Sequence, residues 1–232
     1  MFERLYKYYP EMKEVFEQLY KQSPNYYTPE NFEIQHQEKK FIICHKYEGI
    51  YSKIAMEIQG NEIRAKAGAS PGKGRYDSQL NDFLNYPMPN KIYIVDDCFV
   101  YETDEKGRVV KANADINKTD AIQRITDKRF NQYPEWVNEM DGDNGRDDGG
   151  HIFAASLKGP AEKINIVPME RSFQRTGDWV QSFESILRKR INDGHEAKPI
   201  VELLYEGSER RPFAFRLQMT PKEKPFILYN HK

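Results

Sequence analysis

The run Asp147-Asp148-Gly149-Gly150-His151 is followed by Asn165-Ile166-Val167-Pro168-Met169 and then by Glu184, four residues before Arg188. An imidazole, amides, a carboxylate and a guanidinium therefore share one stretch of chain, each suited to a separate task. Imidazole that is neutral near pH 7 takes a proton from water. Amide and carboxylate oxygens suit a hard divalent cation and its hydration waters. A guanidinium matches the charge that grows on a phosphate under attack. Together they are the equipment for hydrolysing a phosphodiester beside a divalent ion. His36, His45, His195 and His231 stand in no comparable context and read as ordinary surface or core histidines.

These groups must be held by elements that the residue pattern foretells. Met12, Val15, Phe16 and Leu19 recur at helical spacing until Ser23-Pro24 stops the pattern, which predicts an amphipathic N-terminal helix. From Phe32 to Ala67, β-branched and aromatic residues alternate with polar ones, so several short antiparallel strands are expected. The Pro- and Gly-rich segments 69–74 and 86–90 cannot continue either regular structure and mark a soft boundary. The chain accordingly divides into an N-terminal α+β region, residues 1–86, to which no function is assigned, and a second domain, residues 87–232.

Lys91 to Val95 and Cys98 to Thr103 read as strands, with Asp104-Glu105-Lys106-Gly107-Arg108 turning into a further strand at Val109-Val110. Residues 118–129 have helical potential, and the acidic loop 141–145 carries its glycines too early for a calcium-binding run. The Gly-Gly pair before His151 is expected to turn the backbone sharply and leave the imidazole exposed at a strand end. Trp179, Phe183, Ile186, Leu187 and Ile191 form the apolar stripe of a helix over 178–193, which Gly194 ends. On that helix Glu184 and Arg188 are flank neighbours, one turn apart. Two strands, 200–205 and 213–219, close the chain. The class this predicts is α+β on an antiparallel sheet.

Composition narrows the partners. The 36 acidic and 35 basic residues nearly cancel, whereas a generic nucleic-acid binder is usually basic. The halves differ, however: from His151 to Lys232 there are 14 Lys and Arg against 10 Asp and Glu, a net of +4, which leaves −5 for the first 150 residues. The positive charge thus collects where the chemistry would be. Only Cys44 and Cys98 occur, each alone in a strand-like apolar context, so neither a disulfide framework nor a cysteine zinc site is expected. No apolar run approaches the roughly 20 residues of a membrane-spanning helix, and the first residues lack a secretory signal's apolar stretch. We expect work in the cytosol, or export by a dedicated route that reads no cleavable signal.

The motif set resembles the DNA/RNA non-specific endonucleases of the ββα-metal (His-Me finger) type, in the branch found as toxin domains of bacterial exported effectors. The resemblance spans about Asn90 to Met219. It is carried by Tyr101-Glu102-Thr103-Asp104-Glu105-Lys106-Gly107-Arg108, by Asp148-Gly149-Gly150-His151-Ile152-Phe153-Ala154, by Gly159-Pro160 with Asn165-Ile166-Val167-Pro168-Met169, and by Trp179 with Glu184. It implies a nuclease cutting DNA, RNA or both with Mg²⁺ or Mn²⁺, little sequence preference, and a neutralising immunity protein as a further partner. His151 would be the general base, Glu184 would orient the ion's hydration waters, and Arg188 would neutralise the phosphate. An upstream arginine is expected to assist, Arg129 or in its place Arg146. Arg146, Arg175 and Asn165 fall on the substrate side, Asn165 also fixing its loop. The family's metal ligand is an Asn nine residues after the Asn of Asn-x-x-Pro, which lands here on Gln174. Gln offers the same amide oxygen on a longer side chain. If it fails to hold the ion, the alternative is a catalytically silent nuclease fold that binds nucleic acid or a partner.

Overall fold

The computed structural model describes residues 1–47, 51–68, 80–121, 134–143 and 145–231. Two helices, α1 (Phe2–Tyr8) and α2 (Met12–Gln22), open the chain. The predicted stripe of α2 is buried in full, Met12, Val15, Phe16 and Leu19 all facing the core. An isolated helix this short is marginal in water. Burial of each stripe side chain, worth about 1.5–3 kcal/mol, is what holds it.

Four strands follow, β1 (Phe32–Gln37), β2 (Lys40–Tyr47), β3 (Tyr51–Gln59) and β4 (Glu62–Ala65), then β5 (Ile92–Val95), β6 (Phe99–Thr103) and β7 (Val109–Ala114). Later come β8 (Asp147–His151), β9 (Ile166–Glu170), β10 (Ile200–Leu204), β11 (Ala214–Gln218) and β12 (Phe226–Tyr229). Ten of them make one sheet in the order β1-β2-β3-β4-β5-β6-β7-β10-β11-β12, and β8 with β9 forms a separate antiparallel ribbon. The fold is mixed α+β with a mostly antiparallel sheet.

One pairing departs from the antiparallel expectation. Strands β4 and β5 run parallel, Glu62 opposite Ile92 and Ala65 opposite Val95. The sheet therefore crosses position 86 without a break, and one hydrophobic cluster runs from Leu5 to Met219. The buried carboxylate of Glu162 adds a polar tie, accepting the backbone N–H groups of Gly68 (2.7 Å) and Asn81 (2.9 Å). Whatever separates the two regions in function, they share a core.

Strand β12 was absent from the sequence expectation, because it is four residues long, follows Pro225 and alternates only between half-buried and exposed. Cys44 and Cys98 are both buried, as expected of small core residues. Burial, with Asp115 and Asp97 nearby, pushes the Cys98 thiol up to about 12, so it stays protonated and inert.

Candidate active site

The ribbon β8–β9 and the helices after it carry the motif residues. Asp147 pairs with Glu170 at one end of the ribbon and His151 with Ile166 at the other. Helix α4 (Arg171–Arg175) starts directly after β9 and is capped by Glu170, whose side chain accepts from the Phe173 N–H at 2.7 Å. Hydrogen bonds from Ser172 and Phe173 hold that capping carboxyl below its usual range. A π turn, Val180–Glu184, then leads into α5 (Ser185–Asn192). The regular helix predicted over 178–193 is thus interrupted by one wide turn that ends at Glu184. Such turns insert a residue and recur at functional sites.

The large sheet anchors this assembly through an aromatic cluster. Phe215 of β11 stacks on Phe173 of α4 at 6.0 Å between ring centres and lies 4.8 Å from Trp179, which lies 4.8 Å from Phe183. Helix α4 touches β8, β9 and the π turn. The elements bearing His151, Gln174 and Glu184 are therefore neighbours around α4.

The glycines before His151 serve a purpose other than the one expected. Gly149 and Gly150 lie in extended strand and make no sharp turn. A Cβ on Gly150 would meet the Met169 Sδ at 2.4 Å and its Cβ at 2.9 Å, so the missing side chain is space taken by Met169. His151 stands at the strand end, as expected, but it is only 5% exposed. The whole of β8 is buried, packed against α4 and against α3 (Pro134–Glu139), which explains why the exposed imidazole of the sequence reading is not found. Strand alternation puts Asp147 and His151 on one face of the ribbon and Asp148 on the other.

Both aspartates are committed to arginines far along the chain. Arg211 grips Asp147 through two bonds of 2.8 Å, with both side chains almost wholly buried. Arg175 grips Asp148 at 2.6 and 3.1 Å, and Arg171 reaches the same carboxylate at 3.3 Å. Arg175 and Arg171 remain close to half exposed. No local spacing in the sequence joins Arg171, Arg175 or Arg211 to its carboxylate.

Asn165 is fully buried and its amide is used within the fold. Its Oδ1 accepts from the Phe153 N–H (2.9 Å) and the Tyr101 hydroxyl (3.0 Å), and its Nδ2 donates to the carbonyls of Phe153 (2.9 Å) and Pro160 (2.7 Å). It fixes the loop after β8 onto β6, and any part it takes toward substrate runs through that loop. Arg146 sits before β8, roughly 16 Å along the strand from His151, paired with Asp143 at 2.9 Å and exposed. Arg129 lies outside the described residues.

Glu184 is half-buried and forms no ion pair among the described residues. Burial raises its pKa above the usual value, while Arg188 and the Trp179 indole pull it partly back. The Trp179 N–H faces this carboxylate but completes no hydrogen bond, and the residue is 0% exposed. Arg188, one turn on, donates to the Ser185 hydroxyl at 3.3 Å and otherwise acts on Glu184 through its charge. The Gln174 side chain, half-exposed on α4, makes no hydrogen bond among the described residues.

This donor set is the test of whether a divalent ion fits. No group of three or more His, Cys, Asp or Glu stands ready to cage a metal among the described residues. An unengaged amide oxygen on α4 and a half-buried carboxylate without an ion pair, on elements that touch, instead suit a hydrated ion with few protein contacts, the habit of Mg²⁺. A separate cleft of about 530 Å³ opens between α2, residues 85–89, the β6–β7 turn and Lys163, and none of His151, Gln174, Glu184 or Arg188 lines it.

A family model described as DNA/RNA non-specific endonuclease matches residues 89–223, more than half of the 232-residue chain.

Proposed function

Because the chain belongs to the DNA/RNA non-specific endonuclease family, we propose that it hydrolyses phosphodiester bonds of DNA, RNA or both with the help of Mg²⁺ or Mn²⁺. Family membership carries endonuclease activity on nucleic acid. The metal dependence, the residue roles and the biological setting are our own reading. In it, residues 87–232 are the nuclease domain, and the β8–β9 ribbon with the helices after it is the ββα-metal unit. Residues 1–86 extend its sheet.

His151 would take the proton from the attacking water, a contribution of about 10²–10⁴-fold in rate. Its burial excludes bulk solvent, which strengthens the charge interactions around the reacting phosphate. Gln174, through its amide oxygen, and Glu184, by orienting water, would hold the divalent ion, which when bound supplies positive charge to the scissile phosphate and the leaving oxygen. Arg188 would meet the charge that develops on the phosphate. Arg146 and Arg175 would contact the substrate backbone, which carries no base information, so sequence preference should be weak. The upstream arginine of this reading is Arg129. The observation that carries the proposal is the grouping of the elements of His151, Gln174 and Glu184 around α4, inside the family-matched segment.

Plasmid DNA and a structured RNA incubated with Mg²⁺ or Mn²⁺ test this directly. Cleavage that is abolished by EDTA and by His151→Ala is expected. No cleavage by the wild type across a metal and pH series would overturn it and favour a silent nuclease fold that binds without cutting, the reading that Gln174 motivates. We further propose an antibacterial toxin role with a neutralising partner. A wild-type gene that clones as readily as His151→Ala would count against that role.

A further inference from the structure

Asp148 is 4% exposed, and two guanidiniums converge on it from one helix. Arg171 and Arg175 are four residues apart, one turn of α4, so a single carboxylate on β8 grips the helix at two points along one edge. Arg175 meets it with two bonds, 2.6 Å from Nε and 3.1 Å from the terminal nitrogen, and Arg171 with one of 3.3 Å. A planar fork on a carboxylate fixes orientation as well as distance. The backbone adds a further tie, the Arg171 N–H donating to the Arg146 carbonyl at 2.8 Å.

The positions of these contacts matter more than their number. Arg175 is the residue after Gln174, and Asp148 lies three residues before His151 on the same strand. Asp148 points from the opposite face of the ribbon to His151, so it is turned away from the reacting atoms. Helix α4 is only five residues long, too short to hold its own direction without outside contacts. Its apolar hold comes from Phe173 alone, the one buried residue in the helix. Phe173 packs on Phe215 and Trp179 and seats the helix at one point along its length. The forked carboxylate adds a second, directional attachment on the β8 side.

We propose that Asp148 is a positioning residue: by clamping Arg171 and Arg175 it fixes α4 on β8 and so sets where Gln174 stands relative to His151. The inference rests on the nuclease reading and adds to it a residue that touches neither ion nor substrate. Positioning groups behind a metal ligand typically account for about 10–100-fold in metal affinity or activity.

Asp148→Asn keeps the shape and one acceptor oxygen but loses the charge that holds both arginines. For the full-length, metal-free variant, the affinity for Mn²⁺, measured from the electron paramagnetic resonance signal of free ion, is expected to fall about 10-fold or more. On plasmid DNA kcat should fall in parallel with Mn²⁺ affinity, and KM should shift besides, because the released Arg175 is itself a proposed substrate contact. Thermal unfolding identifies a folded variant. If Asp148→Asn does not fold, Arg175→Lys decides, since it keeps the charge and the Arg171 bond but loses the fork; it should lower Mn²⁺ affinity, which is read without substrate and so apart from any contact of Arg175 with nucleic acid. A folded variant with wild-type Mn²⁺ affinity and kcat overturns the positioning role, as does a rise in KM alone. Wild type that neither binds Mn²⁺ nor cleaves would overturn the nuclease reading and this inference with it. Wild type that does both beside an unaffected Asp148→Asn removes the inference only.

Discussion

Replacing Arg211 with Met should destabilise the protein more than the loss of any other arginine that grips the β8–β9 ribbon. The guanidinium makes two bonds of 2.8 Å to Asp147, whose side chain is 1% exposed, and two more to the carbonyls of Asn230 (3.0 Å) and His231 (2.9 Å). Without it, the Asp147 carboxylate keeps, among the described residues, only the Asp143 N–H at 2.9 Å. Breaking a buried pair from one side costs about 3–5 kcal/mol, because the remaining charge is left in a medium that solvates it poorly. For a chain of this size each kcal/mol moves the midpoint by about 2–4 °C, so the melting temperature should drop by about 6–20 °C. Differential scanning calorimetry of Arg211→Met, with urea titration as a second measure, reads this. The control is Arg211→Met with Asp147→Leu, which removes both charges and should recover most of the loss, leaving mainly the Asn230 carbonyl unpaired. A single variant that loses less than about 1 kcal/mol, or a double variant no better than the single, would refute the account of an uncompensated buried charge.

Gly150→Ala places a methyl within 2.4 Å of the Met169 Sδ, in a fully buried site; urea denaturation should show a loss of about 1–3 kcal/mol, partly relieved by Met169→Ala. Burial raises the Glu184 pKa, so its folded form binds a proton at higher pH than the unfolded chain does. Stability of the metal-free protein should therefore fall as pH rises from the unfolded carboxylate value, about 4.3, through the raised folded one. Glu184→Gln should remove that component, and a wild-type-minus-variant difference in urea midpoint that stays flat with pH would contradict it. Residues 87–232 expressed alone lose the β4 partner of β5 and the Gly68 and Asn81 donors to Glu162. No cooperative unfolding transition is expected from that fragment, and a fragment that melts cooperatively would show that the shared core is dispensable.

The sequence by itself determined what depends on neighbours along the chain. The stripe Met12-Val15-Phe16-Leu19, the β6–β7 hairpin and its Asp104 turn, and the flank pairing of Glu184 with Arg188 are all local periodicities. The ordered motifs around His151 pointed to the endonuclease family, which the match over residues 89–223 bears out. Local pattern could not supply what closes only in three dimensions. Asp147 finds Arg211 across 64 positions and Asp148 finds Arg175 across 27, and a carboxylate's partner at such range leaves no spacing to read. The parallel join of β4 to β5, the π turn ending at Glu184 and the burial of His151 belong to the same class. Side-chain periodicity is set by the backbone of one element, whereas burial and charge pairing are set by which elements the folded chain packs together.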